Sequence, residues 1–159
     1  ATVHRAENTD LKDNLKNILD GLNKIAMDKK ILFPLHPRTR KKIDDFGLNK
    51  YINNIKNIEI LDPLSFIDTH SLLKHSMGLL TDSGGMQKEA FYYGVPCITL
   101  RNETEWTETL SAEMNCLVGA DPSKMLFATK NLTIPKSYNK NIYGDGNTSK
   151  KILDILLDQ

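Results

Sequence analysis

The stretch Gly78-Leu79-Leu80-Thr81-Asp82-Ser83-Gly84-Gly85-Met86-Gln87-Lys88-Glu89-Ala90 decides the fold by its order of residue types. Gly78 to Thr81 reads as a short strand buried on both faces. It runs into a small, glycine-rich turn, and a helix follows at once. The two glycines permit a tight turn and a close approach of backbone to a ligand. The N–H groups of Gly84, Gly85 and Met86, aligned with the helix dipole, are suited to an anion such as a diphosphate. The Ser83 hydroxyl adds a donor. Glu89, one helical turn further on, is placed to accept hydrogen bonds from the vicinal hydroxyls of a ribose. The same residues also suit a plain strand-to-helix turn with Ser83 as N-cap, so the stretch alone leaves both readings open.

Outward from this stretch the pattern repeats. Short apolar runs at Thr2-Val3, Ile31 to Leu35, Ile58 to Leu61, Val95 to Leu100 and Cys116 to Val118 read as further strands. Leu11, Leu15, Ile18, Leu19, Leu22 and Ile25 step by three and four, which predicts a helix with Asp10 as its N-cap. Further helices are expected near 38–46, 65–76, 85–93, 122–131 and 147–157. Strands separated by helices at about 20–25 residues argue for βαβ units. The expected fold is α/β: a Rossmann-like open parallel sheet of about six strands with helices on both faces. The first strand is followed at once by polar His4-Arg5 and reads as cut mid-element, as if the chain were part of a longer protein.

Composition limits the function. The 159 residues are about one domain's worth. Lys plus Arg number 21 against 20 Asp plus Glu, a net charge of +1, so no bulk field draws nucleic acid or an acidic membrane. No apolar run approaches the ~20 residues of a membrane span, and ATVHRAEN lacks a signal-peptide core. Cys97 and Cys116 sit in apolar stretches and read as two buried thiols in a reducing, cytoplasmic compartment. No spacing suggests a metal or other cofactor, and the Gly-x-Ser-x-Gly of a hydrolase is absent.

Ligands of an open parallel sheet bind beyond the carboxyl ends of its strands. Those positions hold His4-Arg5-Ala6-Glu7-Asn8, His36-Pro37-Arg38-Thr39-Arg40, Asp82-Ser83-Gly84-Gly85 and Arg101-Asn102-Glu103-Thr104-Glu105-Trp106. All four arginines of the chain fall in these segments, as do two of its four histidines. His4 and His36 are therefore candidates for anion donors or for acid–base groups near neutrality. His70 and His75 read as surface or packing residues. Trp106 either packs over the site or touches the ligand.

Together, His4-Arg5-x-Glu7-Asn8, Leu35-His36-Pro37-Arg38-Thr39, Thr81-Asp82-Ser83-Gly84-Gly85-x-Gln87-x-Glu89-Ala90, Gly94-Val95-Pro96 and Tyr143-Gly144-Asp145-Gly146 resemble the C-terminal half of the non-hydrolysing UDP-N-acetylglucosamine 2-epimerases. The resemblance implies that residues 1–159 are the C-terminal UDP-binding half of a two-domain GT-B enzyme. Such an enzyme inverts C2 of a UDP-HexNAc by eliminating and re-adding UDP, in surface polysaccharide precursor synthesis. It further implies that Ser83, Gly84 and Gly85 hold the diphosphate, Glu89 the ribose, and that His4 matches a histidine at the reaction centre. The family's principal carboxylates belong to the N-terminal domain, so this half alone is expected to be inactive. Partners would be the UDP-sugar and the protein's own N-terminal domain, with a homodimer as a further option.

The chain departs from the family pattern in three places. Where members carry Thr-Glu-Arg-Pro-Glu, it has Thr104-Glu105-Trp106-Thr107-Glu108. The phosphate-binding arginine is thus missing, with Arg38 or Arg101 the candidates to replace it. The Thr-Glu-Trp form resembles the branch acting on modified UDP-HexNAc such as diacetamido uronic acids. An aromatic near the uracil is replaced by Thr69, with Phe66 one turn earlier, and Lys88 stands for a common Glu, read here as a solvent-facing residue. A GT-B glycosyltransferase using a UDP-sugar and a non-catalytic UDP-sugar sensor remain alternative readings.

Overall fold

The structure, a computed structural model, describes residues 1–53 and 55–157. The described elements run α1 (Ala6–Thr9), α2 (Lys12–Ile25), β1 (Ile31–Pro34), α3 (Pro37–Asp45), a 3-10 turn (Asn49–Tyr51), β2 (Ile58–Leu61) and α4 (Phe66–Lys74). They continue through β3 (Leu79–Thr81), α5 (Gly84–Tyr93), β4 (Cys97–Thr99), α6 (Thr107–Ser111), β5 (Asn115–Leu117), α7 (Pro122–Lys130) and α8 (Thr148–Leu157). All ladders are parallel. β1 pairs with β2, and β4 lies between β3 and β5.

The expected first strand is reduced to a single bridge, which joins the two groups of strands. Ala1 N donates to Leu32 O at 2.7 Å and Thr2 N to Leu80 O at 2.9 Å, and Thr2 bridges Thr81 in parallel. The spatial order is β2, β1, the Ala1–Val3 segment, β3, β4, β5. That is the doubly wound order, with its switch point between Ala1–Val3 and β3. Five strands plus this bridge stand where about six strands, the first of them cut short, were expected; at His4 the backbone N–H turns from the ladder to the Asp82 carboxylate, 3.0 Å away.

Period-two alternation within the strands builds two cores. Phe33, Leu80 and Ile98 face one layer with Leu15, Ile18 and Leu22 of α2, Ile43 of α3 and Met125 of α7. Leu79 and Cys97 face the other with Leu73 of α4 and Ala90 of α5. The helical stripe of α2 is almost fully buried, with Leu15, Ile18, Leu19, Leu22 and Ile25 each at 2 % exposure or less. Each such side chain contributes about 1.5–3 kcal/mol of burial. Helix α7 packs close to α2: a Cβ on Gly21 would stand 2.5 Å from the Met125 sulfur.

Local expectations needed three corrections. Asp10 does not cap α2. The cap is Leu11, without a side-chain bond, while Asp10 closes α1 and pairs with Arg38 and Lys42. A hydrogen bond from Lys42 is the largest cause of its lowered pKa. Two cations of α3 thus outcompete the backbone N–H groups of α2. Cys116 is half-buried rather than buried, because β5 pairs only on its β4 side. α1 and α6 were not expected; at four and five residues they are too short to show a periodic apolar stripe. No helix among the described residues is long and apolar enough to cross a membrane.

Candidate functional site

Asp82, fully buried at the end of β3, organises the switch point. Its carboxylate accepts from His4 N at 3.0 and 3.1 Å, from Arg5 N at 2.9 Å and from Asn8 Nδ2 at 3.0 Å. Asn8 also donates to Leu100 O at 2.9 Å. One buried acceptor thereby ties the turn after the first strand to the turns after β3 and β4. The His4 ring is left part-exposed, with Nδ1 3.6 Å from Asp82 and its centroid 5.5 Å from that of His36. His36 is itself the N-cap of α3, its Nδ1 accepting from Arg38 N at 3.1 Å. Sequence placed both histidines at strand ends, and the fold brings them together.

Helix α5 starts at the same point. Ser83 is its N-cap, with Oγ accepting from Met86 N at 3.4 Å, and Ser83 N donates to Thr81 Oγ1 at 2.9 Å. The Met86 N–H is therefore occupied, contrary to expectation. The N–H groups of Gly84 and Gly85 precede the first intrahelical bond, Gln87 N to Ser83 O, and are left for a ligand. The Ser83 hydroxyl keeps its own proton to donate. Gly94, left-handed at φ 73°, closes the helix.

Glu89 stands beside this turn: a Cβ on Gly85 would lie 3.9 Å from Glu89 Oε1. His70 was expected to be a mere surface or packing residue. Instead its Nε2 is 3.5 Å from Glu89 Oε2, its Nδ1 is 3.0 Å from Tyr93 OH, and its ring lies 3.9 Å from that of Phe66. Phe66 as a residue is 72 % exposed. The four-residue step from Phe66 to His70 on one helix face was the available signal. What joins them to Glu89 is the packing of α4 on α5.

The arginines divide differently from expectation. Arg38 donates from Nε to Thr9 Oγ1 and from Nη2 to Asp10. Arg101, 8 % exposed, binds Glu7 at 2.9 Å and Glu105 at 2.9 and 3.1 Å. The Glu105 hydrogen bond is the largest cause of its raised pKa, and the reciprocal bond holds Glu105 below the usual carboxylate range. Both candidates for the missing phosphate arginine are thus committed to protein carboxylates. The arginine nearest the α5 turn is Arg5, with Nη2 3.5 Å from where a Gly84 Cβ would stand and 3.8 Å from Glu105 Oε1.

Trp106 and Lys88 complete the turn's far wall. The Trp106 indole nitrogen would be 3.4 Å from a Gly84 Cβ; it is buried and has no hydrogen-bond partner. Lys88 was expected to face solvent. Its Nζ instead lies 4.4 Å from the Trp106 ring centroid and 4.9 Å from that of Tyr143. The backbone of Trp106 is held by Thr104 Oγ1 at 3.1 Å, and that hydroxyl donates to buried Gln87 at 2.6 Å.

Among the described residues, no group of three His, Cys, Asp or Glu side chains is arranged to hold a metal. A cavity of about 690 Å³ lies elsewhere, between β5 and α7, and none of its lining residues belongs to this strand-end set.

The family model described as UDP-N-acetylglucosamine 2-epimerase matches residues 1–157. A UDP-N-acetylglucosamine 2-epimerase homolog of Methanococcus maripaludis is 45 % identical, aligned over 98 % of this chain and 43 % of its own length. The UDP-2,3-diacetamido-2,3-dideoxy-D-glucuronate 2-epimerase of Pseudomonas aeruginosa is 39 % identical, again over 98 % and 43 %. The crystal structure of the Methanocaldococcus jannaschii UDP-GlcNAc 2-epimerase in complex with UDP-GlcNAc and UDP superposes with a TM-score of 0.89 at 41 % identity. That match covers 99 % of this chain and 44 % of the other. The chain spans less than half the length of these relatives.

Proposed function

The chain belongs to the UDP-N-acetylglucosamine 2-epimerase family, and from that premise we propose that residues 1–159 are the UDP-binding half of a GT-B enzyme that inverts C2 of a UDP-HexNAc. The observation that carries this reading is the α5 turn at the switch point. There the N–H groups of Gly84 and Gly85 are left for an anion, Glu89 lies alongside and His4 is fixed by Asp82. Ser83, Gly84 and Gly85 take the diphosphate, and Glu89 takes the ribose hydroxyls, backed by His70. The exposed Phe66 ring offers a face for the base. Arg101 and Arg38 act at one remove, holding Glu7, Glu105 and Asp10 around the site.

In the reaction, a base removes the C2 proton and the C–H electron pair becomes the C1–C2 π bond. The C1–O bond breaks and its pair leaves on UDP, so negative charge grows on the diphosphate. Fixed N–H donors at a helix start stabilise charge that develops in this way. His4, aligned by its backbone bonds to Asp82, is placed at the strand end to exchange a proton with the departing diphosphate. Re-addition with the proton delivered to the other face of C2 gives the epimer. The carboxylates for C2 come from the protein's other domain, so the half alone binds UDP and does not turn over. The apolar side of α8, where Ile152, Leu153, Ile155 and Leu156 are each more than half exposed, suits docking of that domain. Two free thiols are in keeping with a cytoplasmic site of surface polysaccharide precursor synthesis.

The test is proton exchange. Full-length protein in deuterated water with UDP-GlcNAc, and in parallel with the diacetamido uronic acid substrate of the Pseudomonas relative, is expected to place deuterium at C2. Sugar transfer to an acceptor without exchange would favour a glycosyltransferase. Binding with neither outcome would favour a sensor.

A further inference from the structure

The α5 turn faces an acidic side chain, Glu105, and lacks the phosphate arginine that the family pattern puts at 106; the nearest guanidinium, that of Arg5, is itself 3.8 Å from Glu105 Oε1. Whatever anion binds must therefore find its positive charge elsewhere. Lys88 lies four residues after Gly84, on the same face of α5, and helical side chains lean toward the N-terminus. Its ammonium stands between two rings, 4.4 Å from Trp106 and 4.9 Å from Tyr143, which meet edge to face at 84°. Among the described residues no carboxylate forms an ion pair with it. Two aromatic faces restrict a flexible lysine without neutralising it.

The rings are themselves fixed. Tyr143 OH donates to Glu108 Oε2 at 3.2 Å, and burial foremost, then Glu108, pushes its pKa up to about 12, which keeps the hydroxyl neutral. Trp106 is held at its backbone by Thr104, and its indole N–H lies buried against Gly84 with no acceptor. An unpaired buried donor is costly. Here it adjoins the free N–H groups of the helix start.

We propose that Lys88, held between Trp106 and Tyr143, supplies the cation for the diphosphate in this chain, and that the unpaired Trp106 N–H supplies a second donor. The inference rests on the UDP reading above. It gives the Tyr143-Gly144-Asp145-Gly146 motif a part: the Tyr143 ring is the second wall of the lysine slot. It also couples the two departures of this chain, lysine at 88 and tryptophan at 106, as one substitution of charge and donor for the lost guanidinium.

The experiment measures UDP and uridine affinities of the full-length protein by calorimetry, for wild type, Lys88→Met, Lys88→Arg and Trp106→Phe. Lys88→Met is expected to weaken UDP by about tenfold or more, the loss of one charge-assisted contact, and to leave uridine within about twofold. Trp106→Phe, which keeps a ring and removes the N–H, is expected to weaken UDP by a smaller factor. Lys88→Arg is expected to restore most of the affinity. UDP affinity unchanged in Lys88→Met, or UDP and uridine weakened equally, would overturn the inference while leaving the UDP reading intact. A wild-type protein that binds UDP no better than uridine would overturn both.

Discussion

Removing the Asp82 carboxylate tests whether one buried side chain assembles the switch point. Its three donors, His4 N, Arg5 N and Asn8 Nδ2, have no other acceptor of comparable geometry except that Asn8 keeps Leu100 O. Asp82→Ala leaves them facing a buried void. At about 1–1.5 kcal/mol for each donor stranded, the sum is about 3–5 kcal/mol. Asp82→Asn is milder. Its oxygen, placed where Oδ2 stands, keeps Arg5, Asn8 and the 3.1 Å bond from His4 N, while the amide nitrogen at the Oδ1 position replaces the 3.0 Å bond with an opposed donor. That predicts a loss of about 1.5–2 kcal/mol. The assay is urea unfolding followed by the fluorescence of Trp106, the single tryptophan of the chain. With a slope of about 2 kcal/mol per M, the midpoint falls by about 2 M for alanine and about 1 M for asparagine, with the slope unchanged. An alanine variant whose midpoint moves by less than about 0.3 M, roughly half a kcal/mol, would refute the reasoning. So would an asparagine variant weaker than the alanine one.

Two further outcomes follow from the same geometry. A methyl on Gly85 meets only Glu89 Oε1 and Ser83 Oγ, both at 3.9 Å, so Gly85→Ala should fold and gain up to about 1 kcal/mol of helix propensity. The methyl stands beside the free N–H groups, so UDP affinity by calorimetry should fall about tenfold or more; full affinity would remove the anion from this turn. For pH, Glu105 is held below its ordinary value, chiefly by the Arg101 hydrogen bond. Its contribution is thus complete above about pH 4.3, the unfolded value, and is lost as pH falls through the depressed folded value. Urea midpoints of the wild type should therefore drop more steeply on acidification than those of Glu105→Gln, and parallel curves would count against that ion pair.

The residues that could be read in advance are those whose task is local. Leu15, Ile18, Leu19, Leu22 and Ile25 declare a helix by their spacing, and Ser83-Gly84-Gly85 declares a turn suited to an anion. The strand-end rule likewise puts His4, His36 and Asp82 at one edge of the sheet. Interactions between distant residues could not be read so. Arg101 was a candidate phosphate ligand by position, yet Glu7, ninety-four residues away, and Glu105 claim its guanidinium. Asp10 stood where a cap belongs, and two cations of α3 drew it elsewhere.

The sequence by itself thus determined the order of the longer helices and the strands, the parallel sheet and the edge at which the chemistry lies. These follow from periodicity and turn residues, which act over a few positions of chain. The tertiary structure alone decided which charges are cancelled and which are left over. Lys88 reads as a solvent-facing lysine until Trp106 and Tyr143, eighteen and fifty-five residues on, close around it. His70 reads as packing until α4 lies against α5 and brings it to Glu89. Partnership between charged groups depends on a few ångströms of separation in space, and spacing along the chain does not encode it.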